Sequence, residues 1–186
     1  MARLFTYGKL NRFATIPGQN HLPGTYFTAY GIQKGAGAFN NTSDNIEPGE
    51  IVEIVNSTTK GYSVKRATSS LTAVKAAIVV RDIMGVNIID EGLFEEYAPG
   101  KPMTVVPATA ESGWTITVPI VAGQTPALGG KVYVGLGTNG SIAGAIYAEE
   151  QGTDGVDSIE LTDWTFASTS FTPTGSDSIA AVIQKD

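Results

Sequence analysis

The chain has 186 residues, enough for one domain with a substantial core or for one domain plus an arm. Its formal net charge is −6, and only 16% of its residues are charged against 42% hydrophobic; so low a charge leaves Ser, Thr, Asn and Gly to cover the surface, which suits β-sandwiches and assembled shells better than helical enzymes. The lack of Cys excludes a disulfide framework and thiolate chemistry, and no apolar run reaches the ~18 residues that span a bilayer.

Charge sets the leading segment apart. From Met1 to Ser43 there are four cations, Arg3, Lys9, Arg12 and Lys34, and no acid; from Asp44 onward the other eight cations face all 18 acids. Seven of the sixteen aromatic residues also fall here: Phe5, Tyr7, Phe13, Tyr26, Phe27, Tyr30 and Phe39. Pro17-Gly18, Pro23-Gly24 and Gly35-Ala36-Gly37 interrupt any regular element, while so many rings are foreign to a disordered tail. Residues 1–44 are therefore expected to form an extended arm, basic and aromatic, lying on an acidic surface with the rings as anchors. Arg3, Phe5, Tyr7, Lys9, Arg12 and Phe13 are its candidate contact residues. Three surfaces fit on charge alone: the chain's own acidic body, another protein subunit, or nucleic acid. Met1 to Tyr7 lacks the apolar core and cleavage site of a signal peptide, so synthesis in the cytoplasm is expected.

Residues 45–186 read as a β-domain. Glu47-Pro48-Gly49-Glu50 is a turn before the strand Ile51 to Val55, and Gly61 introduces Tyr62 to Ala67 as the second arm of a hairpin. Ser70 is placed to cap a short helix through Leu71 to Lys75, although the stretch is ambiguous. Ala76 to Val80 is continuously apolar, as a fully buried strand would be, and Val86 to Ile89 reads as a further strand. A loop with Leu93, Phe94 and Tyr97 precedes a strand at Met103 to Val106. The clearest strand is Trp114 to Val121: Trp114, Ile116, Val118 and Ile120 share one face, and Thr115, Thr117 and Pro119 the other. Pro119 donates no hydrogen bond, so the strand lies at an edge or ends there. Lys131 to Leu136 alternates again, and Asn139-Gly140 signals a hairpin into Ile142 to Tyr147. After an acidic stretch, Glu149 to Asp157, come Ile159 to Phe166 and Ile179 to Ile183. About ten short strands and at most one short helix give an all-β fold, a β-sandwich or barrel of jelly-roll-like kind.

The order of these pieces resembles phage head decoration (capsid cement) proteins. Ile46-Glu47-Pro48-Gly49-Glu50-Ile51-Val52-Glu53-Ile54, followed by Val64-Lys65-Arg66-Ala67-Thr68, looks like their opening pair of strands. Val118-Pro119-Ile120-Val121-Ala122-Gly123 leading to Gly130-Lys131-Val132-Tyr133-Val134 resembles a later element. Gly140-Ser141-Ile142 is similar to their next hairpin, and Gly175 to Ile183 to their closing strand. The long aromatic arm departs from the shorter members. The resemblance implies a viral structural protein made in a bacterial cytoplasm and mounted on the capsid exterior. It would bind the major capsid protein and copies of itself, as a trimer ahead of a dimer, without nucleic acid, membrane, cofactor, metal or catalytic residue.

The residues offer little chemistry to set against that reading. His21 is the one histidine, so a multi-His metal site is excluded, and no Gly-x-Ser-x-Gly elbow accompanies it. Gly123 to Lys131 resembles a phosphate loop but has Val132 where Ser or Thr is needed. The carboxylates Glu149, Glu150, Asp154, Asp157, Glu160 and Asp163 suggest Ca²⁺, without the spacing of an EF-hand. Trp114 is in phase with the core. Trp164, beside the acidic loop, is the ring on which the alternative function rests: a receptor- or glycan-binding module of a phage fibre.

Overall fold

A computed structural model describes residues 24, 26–28, 35–58, 61–81, 97–153, 156–172 and 179–186. Alternation of side chains across two sheets organises them, and no helix is present among these residues. The strands are β1 (Tyr26–Thr28), β2 (Ala36–Asn40), β3 (Ile51–Thr58), β4 (Gly61–Arg66), β5 (Ala76–Val80) and β6 (Pro102–Pro107), then β7 (Trp114–Pro119), β8 (Lys131–Gly135), β9 (Ile146–Tyr147), β10 (Ser158–Phe166) and β11 (Ala180–Lys185).

Strands β2-β4-β3-β5-β6 close into a barrel, and β1-β7-β11-β10-β8-β9 form a six-stranded sheet. The barrel is antiparallel except between β2 and β4, which run parallel with Ala38 opposite Tyr62 and Asn40 opposite Val64. The sheet is antiparallel and curls back on itself: Ile120, just past β7, bridges Ile146 of β9, and the Val121 amide donates to the Ile146 carbonyl at 3.1 Å.

Two cores follow from this arrangement. Inside the barrel lie Ala38, Val52, Val64, Ala77, Val79, Met103 and Val105, with Ile46 and Tyr97 bridged across one part of it. Between barrel and sheet lies the larger core, where Ile51, Ala76, Ile78, Val80 and Val106 of the barrel meet Trp114, Ile116, Val118, Val132, Leu161, Trp164, Phe166 and Ile183 of the sheet. The continuous apolar run of β5 is explained by this: its even-numbered residues face the sheet, its odd-numbered ones the barrel interior, and all five are buried. The expected period-2 strand at Trp114 does end at Pro119, where the β11 register also ends at Ala180.

Two expectations change. Residues 71–75 form turns, not a helix: the Ser70 hydroxyl donates to the Glu53 carboxylate at 3.1 Å instead of capping, and the Lys75 and Ala76 amides both close on the Thr72 carbonyl. Glu53 is thereby buried with partners on Lys65 (3.1 Å), Thr68 and Ser70. The composition also assigns residues 26–28 and 36–40 to the leading arm; both are strands of the chain's own sheets, β1 on β7 and β2 inside the barrel wall. The strand expected at Val86 to Ile89 lies outside the described residues, as do Leu93 and Phe94.

Candidate interaction surface

The six contact residues expected on the arm, Arg3, Phe5, Tyr7, Lys9, Arg12 and Phe13, lie outside the described residues, and so does His21. Other members of the leading segment are placed. Tyr26 packs on Trp114 with ring centroids 5.5 Å apart and planes tilted by 44°, a contact that adds to the area both rings bury. Phe39 stands half-exposed on β2.

Trp164, the ring offered to a sugar, is 1% exposed, and its indole N–H donates to the Ala108 carbonyl at 2.9 Å. The alternation that places it is disturbed by a bulge between Glu160 and Thr165, where Asp163 adopts φ 61°. That bulge turns Trp164 inward although Thr162 and Asp163 before it are exposed. Trp114 is buried too. Neither tryptophan is available for stacking on a ligand.

The acidic stretch is spent on structure. Asp157 accepts hydrogen bonds from the Thr153 amide (2.9 Å), the Thr138 hydroxyl (2.8 Å) and the Asn139 amide group (2.8 Å). The Thr153 amide first, then the Thr138 and Asn139 side chains, hold this carboxyl below the usual aspartate range. Glu160 pairs with Lys131 at 2.7 Å and holds that ammonium above the usual lysine range. Asp163 lies 3.4 Å from the Lys185 ammonium, which also donates to the Thr162 carbonyl at 2.9 Å. Among the described residues no group of three or more His, Cys, Asp or Glu is gathered as a cation site. The Gly123 to Lys131 stretch connects β7 to β8 through turns.

Asp157 matters for the surface beside it. Asn139 (φ 46°) and Gly140 (φ 91°) turn the hairpin that the Asn-Gly pair signals. Ser141 then donates its hydroxyl to the Asp157 carbonyl (2.8 Å), and Thr138 reaches the Val156 carbonyl (2.6 Å). The side chains of Thr138, Asn139 and Ser141 thus tie the hairpin to Val156 and Asp157. On these braced loops stand Ile142 and Val156, 59% and 53% exposed.

Ile142 is also one wall of a groove of about 450 Å³ at the seam between barrel and sheet. Ile51 and Ala67 come from the barrel, Pro119, Ile120 and Val121 from the end of β7, and Ala143 from the hairpin; Glu50 and Arg66 form the rim. The rim cation is engaged, at 3.4 Å from Glu50 and 2.8 Å from the Asn45 carbonyl. The floor is a backbone contact: a Cβ on Gly144 would lie 3.0 Å from the Ile51 carbonyl oxygen, and its φ of 77° favours glycine as well. The groove is lined mainly by apolar side chains, with one ion pair at its edge. A second concavity of about 500 Å³, with Val74, Ala108, Thr162 and Lys185 in its lining, has its cation already engaged by Thr162 and Asp163.

No family model and no curated protein matches the chain. A chain in the solved structure of the capsid of Myoviridae phage XM1 is similar in fold: the TM-score is 0.57, covering 90% of this chain and 91% of that one, at 13% identity. The all-β arrangement of barrel and curled sheet is therefore a fold that also occurs in that capsid.

The groove was not legible from sequence. The Asn139-Gly140 signal finds the hairpin, but only the bridge from Ile120 to Ile146 brings it against the barrel. No local pattern announces that bridge.

Proposed function

We propose that the chain is a structural component of a tailed-phage head: a decoration protein that binds the outer surface of the shell and bridges neighbouring major capsid subunits. The likeness of fold to a chain of the phage XM1 capsid, over nine-tenths of both chains, carries this reading. The ordered motifs from Ile46 to Ile183 support it independently, as does the surface chemistry. Apolar side chains on hydrogen-bonded loops serve binding, and the low charge suits repeated packing of one chain on a lattice. In this reading the protein makes and breaks no covalent bond. Copies made in the bacterial cytoplasm add to the exterior as a symmetric oligomer, a trimer ahead of a dimer. Linked contacts then strengthen the shell by effective concentration. The fibre alternative relied on an exposed Trp164, and the burial of that ring leaves it without support.

Decoration of purified expanded heads tests the proposal. Full-length protein is expected to co-sediment with heads at a fixed stoichiometry and to raise the temperature at which they release DNA. Protein lacking residues 1–23 is expected to occupy fewer sites and to stabilise less. Heads that neither bind the full-length chain nor change in stability would overturn the reading.

A further inference from the structure

Asn139-Gly140 is the one Asn-Gly pair of the chain. Asparagine before glycine is the pair most open to deamidation, because the following amide carries no side chain to hinder its attack on the carboxamide. The fold leaves that approach clear. Both residues are exposed, and a Cβ built on Gly140 would meet nothing within 4 Å. Other described asparagines are worse placed. Asn41 and Asn45 precede the β-branched Thr42 and Ile46, and Asn56, before Ser57, is paired in the β3 ladder opposite Ser63.

Asn139 is also set apart by what its side chain holds. Its Nδ2 donates to Asp157 Oδ1 at 2.8 Å. The same oxygen accepts from the Thr138 hydroxyl at 2.8 Å, and Oδ2 accepts from the Thr153 amide at 2.9 Å. Asp157 has no room to retreat: it is 4% exposed, and its carboxylate fills the space that a Cβ on Gly152 would need. The backbone of Asn139, at φ 46°, adopts the left-handed conformation that Asn tolerates in a tight turn. Turn and side-chain bond together hold the carboxamide on the Asp157 side.

We infer that Asn139 is a site of slow, irreversible deamidation, with Asp157 as both the brake on the reaction and the sensor of its product. The Gly140 nitrogen gives up its proton and bonds to Asn139 Cγ, and Nδ2 takes up a proton and leaves as ammonia. Water then opens the succinimide at one carbonyl or the other, giving aspartate or isoaspartate. The carboxamide must leave Asp157 before Gly140 can attack it, which is the brake. Afterwards a carboxylate stands where a donor stood, against a carboxylate that is fixed in place, and the two repel. Isoaspartate also adds a carbon to the backbone of the turn. Either product undoes the tie between the hairpin and Asp157, and Ile142 and Ala143, which line the groove, move with it. The inference is independent of the capsid reading, since it concerns any long-lived copy of the chain.

Full-length protein held for weeks in mildly alkaline buffer at body temperature, and sampled by peptide mapping with mass spectrometry, tests the site. Conversion at Asn139 is expected to exceed that at Asn56 several-fold. In Asp157→Ala, shown to be folded by circular dichroism, it should run several-fold faster still. Thr138→Val removes one bond to the same carboxylate and should accelerate it less, which keeps the brake testable where Asp157→Ala does not fold. Hydrogen exchange reads the consequence: peptides covering residues 137–145 are expected to exchange faster in Asn139→Asp than in Asn139→Ala, which loses the donor without gaining a charge. Conversion at Asn139 no greater than at Asn56 would overturn the site. Equal rates with and without the Asp157 contacts would overturn the brake, and exchange in Asn139→Asp no faster than in Asn139→Ala would overturn the sensor.

Discussion

At the residue scale, the side chains that look most available for chemistry are spent on holding the fold. Trp164 joins the sheet core and donates its N–H to Ala108. Trp164→Phe removes that donor, strands a carbonyl and leaves a void, at a cost of about 1–3 kcal/mol. Urea denaturation should show it as a lowered midpoint with an unchanged slope. Asp157 gives a pH signature. Its folded carboxyl titrates below its unfolded value, so its contribution is fully present above the ordinary value of 3.8 and is lost as pH falls through the depressed folded one. Asp157→Asn keeps the shape but not the charge that Thr153, Thr138 and Asn139 address. It is expected to lower the melting temperature at pH 7 and to converge with the natural chain well below pH 4. A difference that persists unchanged in strong acid would assign the effect to packing instead. Neither the burial of Trp164 nor the role of Asp157 is legible in sequence, since the first needs a bulge and the second a contact between loops.

At the element scale, legibility tracks how locally each strand is specified. Strands β3 to β8, β10 and β11 follow from alternation, apolar runs and turn residues, and lie where those patterns place them. Strand β2 falls in the segment that charge assigns to the arm, and Gly35-Ala36-Gly37 reads as a break in any regular element. It is a strand because β4 and β6 flank it on both sides, a tertiary override of local propensity. Strand β9 is only the end of the strand expected over Ile142 to Tyr147: residues 142–145 form a turn, and Ile146–Tyr147 alone pair with β8. Strand β5, buried on both faces, ties the two cores together. Ile78→Ala is expected to cost about 2–5 kcal/mol, while Ile142→Ala, on the exposed hairpin, should stay within about 0.5 kcal/mol. Gly135→Val attacks the hairpin by sterics, because a Cβ there would overlap the Ile142 carbonyl oxygen and press on the Tyr147 ring. Circular dichroism is expected to show a folded protein with a lowered melting temperature.

At the scale of the whole molecule, the all-β class with a barrel is legible in the sequence, but which strands close the barrel and how it meets the sheet are not. The pairs that close them, β2 with β6 and Ile120 with Ile146, are far apart in the chain or too brief to leave a pattern. This changes where the arm can be cut. The charge boundary at Ser43 falls between β2 and β3, inside the barrel wall. Deleting residues 1–43 removes β1 and β2, exposing the free edges of β4, β6 and β7 and taking Ala38 and Asn40 out of buried positions. Asn40 alone bonds the Asp44 and Tyr97 carbonyls at 2.8 and 2.7 Å. Deleting residues 1–23 leaves every described strand intact. The shorter deletion is therefore expected to keep a single cooperative melt within about 4 °C of the natural chain, equivalent to about 1 kcal/mol at this size. The longer one should lose cooperativity and aggregate through its opened edges. Calorimetry on the pair decides the matter: equal melts would show that β2 is dispensable to the barrel, and a collapse on removing only residues 1–23 would make the leading segment part of the fold before it is part of any assembly.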